Sequence, residues 1–84
     1  MEEKETKKIL IIEDHKDMLL ILNRFLVEEG FSVRGAETAE VGLDAFRQEQ
    51  PDVILLDLML PGMSGLDALQ IFRAETDSTT YIPI

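Results

Sequence analysis

Two uninterrupted aliphatic runs, Ile9-Leu10-Ile11-Ile12 and Val53-Ile54-Leu55-Leu56, constrain this chain more than any other feature. Neither alternates with polar residues, so neither reads as a strand with one face in water. Continuous apolar strands belong to parallel sheets covered on both faces. The segments between and after them supply the cover. From Lys16 to about Glu29, Met18, Leu22, Phe25 and Leu26 recur three or four residues apart, which is one face of a helix. Leu19, Leu20, Ile21 and Val27 widen that face, and Gly30 ends the helix. Residues 31–36 alternate apolar with small or polar, as an edge strand does. Thr38 is placed to cap a second helix carrying Ala39, Leu43 and Phe46. Pro-Gly at 61–62 and Gly65 mark a loop. Ser64 with Asp67 forms a weak capping box before a third helix bearing Leu66, Leu69 and Phe72. Tyr81-Ile82-Pro83-Ile84 starts a fourth strand. The order β-α-β-α-β-α-β predicts an α/β fold with parallel strands and right-handed crossovers.

Composition narrows the function. The chain has 84 residues, no cysteine, 8 Lys+Arg and 17 Asp+Glu, for a formal net charge of −9. That balance argues against nucleic-acid binding through a basic face and against docking on anionic lipid. Without cysteine there is no disulfide framework, zinc-thiolate site or thiol nucleophile. Residues 1–7 are a charged tail without the apolar stretch of a signal peptide, and no run approaches the ~20 apolar residues of a membrane helix. The expected location is cytoplasmic, with no membrane contact.

Both aliphatic runs end in acids. Ile12 is followed by Glu13 and Asp14, and Leu56 by Asp57. In open parallel sheets functional groups gather at the carboxyl ends of the strands. Single acids at such positions commonly cap helices or face water. Three of them on neighbouring strand ends would repel one another, and a divalent cation relieves that. Mg²⁺ takes oxygen ligands and keeps several waters, so one or two carboxylates and a carbonyl suffice. Its use there is phosphoryl chemistry, with a carboxylate as nucleophile. His15 follows the acidic pair; a first-turn helix residue at the mouth of the site is favoured over a metal ligand or phosphodonor, because Mg²⁺ prefers oxygen.

These residues resemble a known family. Ile9-Leu10-Ile11-Ile12-Glu13-Asp14 looks like the first strand and acidic pair of the response-regulator (CheY-like) receiver domain. Residues 52–65, Asp-Val-Ile-Leu-Leu-Asp-Leu-Met-Leu-Pro-Gly-Met-Ser-Gly, look like its third strand and phosphoacceptor loop. The resemblance covers residues 8–84 and implies a flavodoxin-like, three-layer parallel sheet. It also implies roles. Asp57 would accept a phosphoryl group from a sensor histidine kinase or phosphotransfer protein. Glu13, Asp14, Asp57 and the backbone carbonyl of Met59 would hold Mg²⁺, and Pro61 and Gly65 would shape the loop. The family more often has aspartate at the position of Glu13; the extra methylene lengthens that ligand's reach.

Against the family pattern, the fourth strand is only begun, and the fourth helix, fifth strand and fifth helix are absent, with the Ser/Thr and Lys they carry. The domain is thus expected to be an incomplete receiver. Some of Met18, Leu19, Leu22, Phe25 and Leu26 should then lie partly exposed, which predicts a homodimer or an assembly with exchanged elements. The favoured function is a phosphoaccepting module of a two-component system, not an enzyme beyond its own phosphorylation and dephosphorylation. The alternatives are a receiver-derived binding or dimerisation module that takes no phosphate, and an unrelated Mg²⁺-dependent phosphotransferase or phosphatase. The last is weakened because Leu58, Met59 and Leu60, next to Asp57, are all apolar.

Overall fold

The computed structural model describes residues 6–57, 60 and 62–75. The elements are β1 (Lys8–Ile12), α1 (Lys16–Glu28), β2 (Ser32–Ala36), α2 (Ala39–Gln48), β3 (Val53–Leu56) and α3 (Gly65–Glu75). The strands form one parallel sheet in the order β2-β1-β3. Both connections therefore cross over a helix, and the apolar runs become the centre and one side of the sheet. Ile9 to Ile12 are all buried, as a central strand covered on both faces requires. The expected fourth strand lies outside the described residues.

Local chemistry sets the helix ends. Gly30 follows α1 with φ 98°, a left-handed conformation that costs glycine nothing. Thr38 Oγ1 accepts from the Val41 amide at 3.1 Å, which satisfies one orphan donor of α2. Ser64 Oγ accepts from the Asp67 amide at 3.2 Å at the start of α3, the half of the capping box that matters most to the free N–H groups.

The core lies on one side of the sheet. Leu10, Ile12 and Ile54 meet Leu43 and Phe46 of α2 and Ala68 and Phe72 of α3. Phe46 and Phe72 pack edge to face, with ring centroids 5.1 Å apart. Such a pair adds roughly 0.5–1.5 kcal/mol beyond its buried area. Gly42 lets α2 approach β1 closely, since a Cβ there would stand 2.5 Å from Ile12 Cδ1. Arg47 of α2 and Glu75 of α3 make a two-pronged ion pair across the outer side of the helix pair.

The other side is thinly covered. α1 contains no fully buried residue; Met18 is 46 % exposed and Phe25 58 %. Leu19 sits against Gly35 of β2, and Leu22 faces Ile11 and Leu55 across an open groove. The expected exposure on α1 is thus seen for Met18 and Phe25, whereas Leu19, Leu22 and Leu26 are half-buried.

Two sequence expectations change. β3 is not buried on both faces, because Leu55 points to the thinly covered side and is 37 % exposed. On α3 the inward stripe is Gly65, Ala68 and Phe72, while Leu66 is 59 % exposed. Gly65 and Ala68 leave room for the close approach of α3, and Phe72 fills the space against Phe46.

Candidate metal and phosphoacceptor site

Strand register brings the acids together. Ile12 of β1 pairs with Ala36 of β2 and with Leu56 of β3. The ladder runs one step further on both sides. The Glu13 amide donates to the Ala36 carbonyl at 2.9 Å, and the Asp57 amide donates to the Ile12 carbonyl at 3.0 Å. Glu13 and Asp57 are therefore held side by side at the carboxyl end of the sheet by backbone bonds alone. At the opposite end the register is pinned a second time. The Asp52 amide donates to the Lys8 carbonyl at 2.8 Å, and the Lys8 amide donates to Asp52 Oδ2 at 2.7 Å.

The result is a compact donor cluster. One ligand atom from each of Glu13, Asp14, His15 and Asp57 lies within 4.8 Å of the others. Glu13, Asp14 and Asp57 are half-buried, so the site is screened from bulk water but open to solutes. Asp14 Oδ1 is shielded from solvent and has no hydrogen-bond partner. A shielded, unsatisfied carboxylate oxygen is costly unless something positive meets it. Three carboxylates at this spacing supply the hard oxygen donors that Mg²⁺ takes, so the residues present fit that ion. Met59, whose carbonyl the resemblance assigns to the metal, and Pro61 lie outside the described residues.

His15 is where sequence reasoning came up short. It is the residue that starts α1, with extended backbone (φ −84°, ψ 112°), as expected. Its side chain, however, turns back toward the acids. Nδ1 is 2.9 Å from Glu13 Oε2 and 3.3 Å from Asp14 Oδ1. The His15 amide also donates to Glu13 Oε2 at 3.2 Å. The hydrogen bond to Glu13, then the negative charge of Asp14, raise the imidazole pKa above its ordinary value. The spacing Glu-Asp-His does not reveal this, because it depends on the chain turning at Asp14.

The site opens into a groove of about 400 Å³ lined by Ile11, Ile12, Glu13, Leu22, Leu55, Leu56 and Asp57. The acids sit at one end of it and the aliphatic side chains along its floor.

A parallel sheet with a cluster of carboxylates at its carboxyl edge is an open α/β arrangement of the kind whose functional groups gather at the strand ends. Residues 9–84 match the response regulator receiver domain family, and the chain belongs to that family. Among curated relatives, the DNA-binding response regulator MtrA of Mycobacterium tuberculosis is 37 % identical over 70 residues, 83 % of this chain and 31 % of MtrA. The transcriptional regulatory protein YkoG of Bacillus subtilis is 42 % identical over 78 residues, 93 % of this chain and 34 % of YkoG. The chain thus spans about a third of these relatives' length. Among solved structures, the response regulator TrrA of Thermotoga maritima in complex with Mg²⁺-BeF superposes with a TM-score of 0.83 and 31 % identity. That match covers 92 % of this chain and 66 % of TrrA. A further similar structure is a complex of TrrA with the histidine kinase ThkA. The flavodoxin-like, CheY-like architecture expected from the sequence is the architecture observed. No helix among the described residues is long and apolar enough to cross a membrane.

Proposed function

We propose that this chain is a phosphoaccepting receiver that takes a phosphoryl group on Asp57 from a histidine kinase or phosphotransfer protein. The observation that carries this reading is the convergence of Glu13, Asp14 and Asp57 at adjacent strand ends. A carboxylate oxygen of Asp57 attacks the phosphorus of a phosphohistidine. The P–N bond breaks, the electron pair returns to the imidazole nitrogen of the donor, and an acyl phosphate forms on Asp57. The rigid ladder bond from the Asp57 amide to Ile12 holds the nucleophile in place, which contributes through orientation. Glu13, Asp14, Asp57 and the Met59 carbonyl are the residues that would hold Mg²⁺. When bound, that ion supplies neutralisation of the phosphoryl oxygens. The groove leading from Asp57 along Leu55 and Leu22 gives the donor an open approach.

The chain acts on no separate small substrate; its chemistry is its own phosphorylation and dephosphorylation, in a cytoplasmic two-component pathway. The net charge of −9 supports a protein partner over nucleic acid for this domain. Exposed Met18, Leu20, Ile21 and Phe25 on α1 support association of two copies, readable by light scattering after size exclusion.

Intact-mass measurement after incubation with Mg²⁺ and acetyl phosphate tests the reading. A single phosphoryl adduct that is labile to base and missing in Asp57→Asn is expected. A folded sample that gains no adduct would favour the binding-only module instead.

A further inference from the structure

The three helices are held to the sheet to very different degrees. α2 buries Ala39, Gly42, Leu43, Ala45 and Phe46, and α3 buries Gly65, Ala68 and Phe72. α1 fully buries none of its residues, and Leu20, Ile21 and Phe25 are each more than half exposed. Elements with few buried apolar contacts open first, at a free energy below that of global unfolding. α1 also lies between two bends of the chain. Gly30, in the left-handed region at φ 98°, follows its C-terminal end. At the other end the strand ladder continues as far as Glu13, whose amide donates to the Ala36 carbonyl at 2.9 Å. The His15 carbonyl already accepts the Leu19 amide at 2.9 Å, so His15 moves with the helix. Asp14 stands between the two, at a bend. The bonds from the His15 amide and ring to Glu13 Oε2 cross this joint at the surface, where water competes for them. Glu13 and Asp57 are thus placed by the sheet, whereas the place of Asp14 depends on where α1 lies.

We propose that α1 is a hinged cover whose docking on the sheet is coupled, through Asp14, to occupation of the acidic cluster. Docked, α1 leaves Asp14 beside Glu13 and Asp57, with a carboxylate oxygen of each within 4.8 Å of the others. Swung out about Asp14 and Gly30, it carries Asp14 away and uncovers Ile11 and Leu55 on the sheet. The strands stay paired, because α2 and α3 pack against the other face. A cation held by all three carboxylates binds the docked form more tightly, and by linkage it favours docking to the same extent. The inference rests on the reading that the cluster holds a cation, and it goes beyond that reading by assigning a moving element to the site.

Amide hydrogen exchange of the 84-residue chain, resolved by NMR, tests this. It is run without Mg²⁺ and with Mg²⁺ at about ten times the Kd found by calorimetry, ionic strength being matched with NaCl. Without Mg²⁺, the amides of residues 19–28 should share one opening equilibrium. They should be protected roughly ten-fold less, or weaker still, than the slowest amides of β1, α2 and α3. A ligand that is lost on opening slows exchange by a factor of one plus its concentration over Kd, here about ten. Swinging out α1 and unfolding the whole chain both take Asp14 from the site. Mg²⁺ should therefore slow α1 and the slowest core amides by the same factor, to within two-fold. If the core amides slow and α1 lags them by more than two-fold, α1 opens without releasing the ion, and the coupling falls while the cation site stands. If α1 is as protected as the core without Mg²⁺, or exchanges residue by residue, it is no separate unit and the inference falls. If calorimetry finds no Mg²⁺ binding and Mg²⁺ slows no amide, the cation reading falls and the inference with it.

Discussion

The two faces of this sheet are built from one set of strands yet packed very differently. On the α2/α3 side, Leu10, Ile12, Ile54, Phe46 and Phe72 interlock, and Phe72 and Ile12 are fully buried. On the α1 side, no helix residue is fully buried and Leu55 reaches solvent. The difference teaches that stability and chemistry are separated in this domain. The packed face supplies the free energy that fixes β1 and β3 in register. The open face carries the groove that ends at Asp57 and Glu13.

Paired substitutions break that comparison most directly. Phe72→Ala should cost about 3–5 kcal/mol in chemical denaturation, the range for a large buried aromatic. Phe25→Ala on α1 should cost less than about 1 kcal/mol, since surface changes mostly lie within about half a kcal/mol. Equal losses would mean that α1 is as firmly packed as α3.

Glycine substitutions sharpen it. A Cβ at Gly42 would meet Ile12 Cδ1 at 2.5 Å and Cγ1 at 2.8 Å, and Ile12 is enclosed. Gly42→Ala should therefore cost about 1–3 kcal/mol as overpacking. At Gly35 the nearest atom is Leu19 Cδ1 at 2.9 Å, the far end of a half-buried side chain with room to move. Gly35→Ala should be much milder, and thermal melts of the two variants compare them.

The helix starts differ in the same way. Thr38 caps α2 with a side-chain hydrogen bond, whereas His15 makes no cap bond to α1. Thr38→Ala should cost about 1 kcal/mol, and His15→Ala should leave α1 unchanged by helix content in circular dichroism.

The smallest expected effect is on titration. In the metal-free chain the His15 ring should titrate above its ordinary value of 6.5, raised first by the Glu13 hydrogen bond and then by Asp14. Because the folded value is the higher one, this contribution to stability is complete below about pH 6.5 and is lost as pH rises through the folded value. Glu13→Gln should bring the NMR midpoint back down. A midpoint that stays put would show that Glu13 does not hold the ring.

How much of this was legible beforehand follows from the range of the interactions involved. The aliphatic runs, the Gly30 stop and the Thr38 cap are local signals, read from a few neighbouring residues, and each appears where the residues place it. The motif around Asp57 was legible because Asp-Leu-Met-Leu-Pro-Gly is a long pattern. The exposure of Leu55 and Leu66 was not. A continuous apolar run says that a strand prefers burial on both faces, but cover comes from whichever helix reaches it, and α1 leans on β2 and β1.

The amino-acid order by itself determined the strands, the helices, their alternation and the acids that follow the two apolar runs, because propensity, capping and periodicity act within a few residues. Only the tertiary structure decided that Glu13 and Asp57 stand side by side and that His15 turns back onto Glu13 and Asp14. Those facts depend on a parallel register between residues more than forty positions apart, and on a turn at Asp14 that no periodicity encodes.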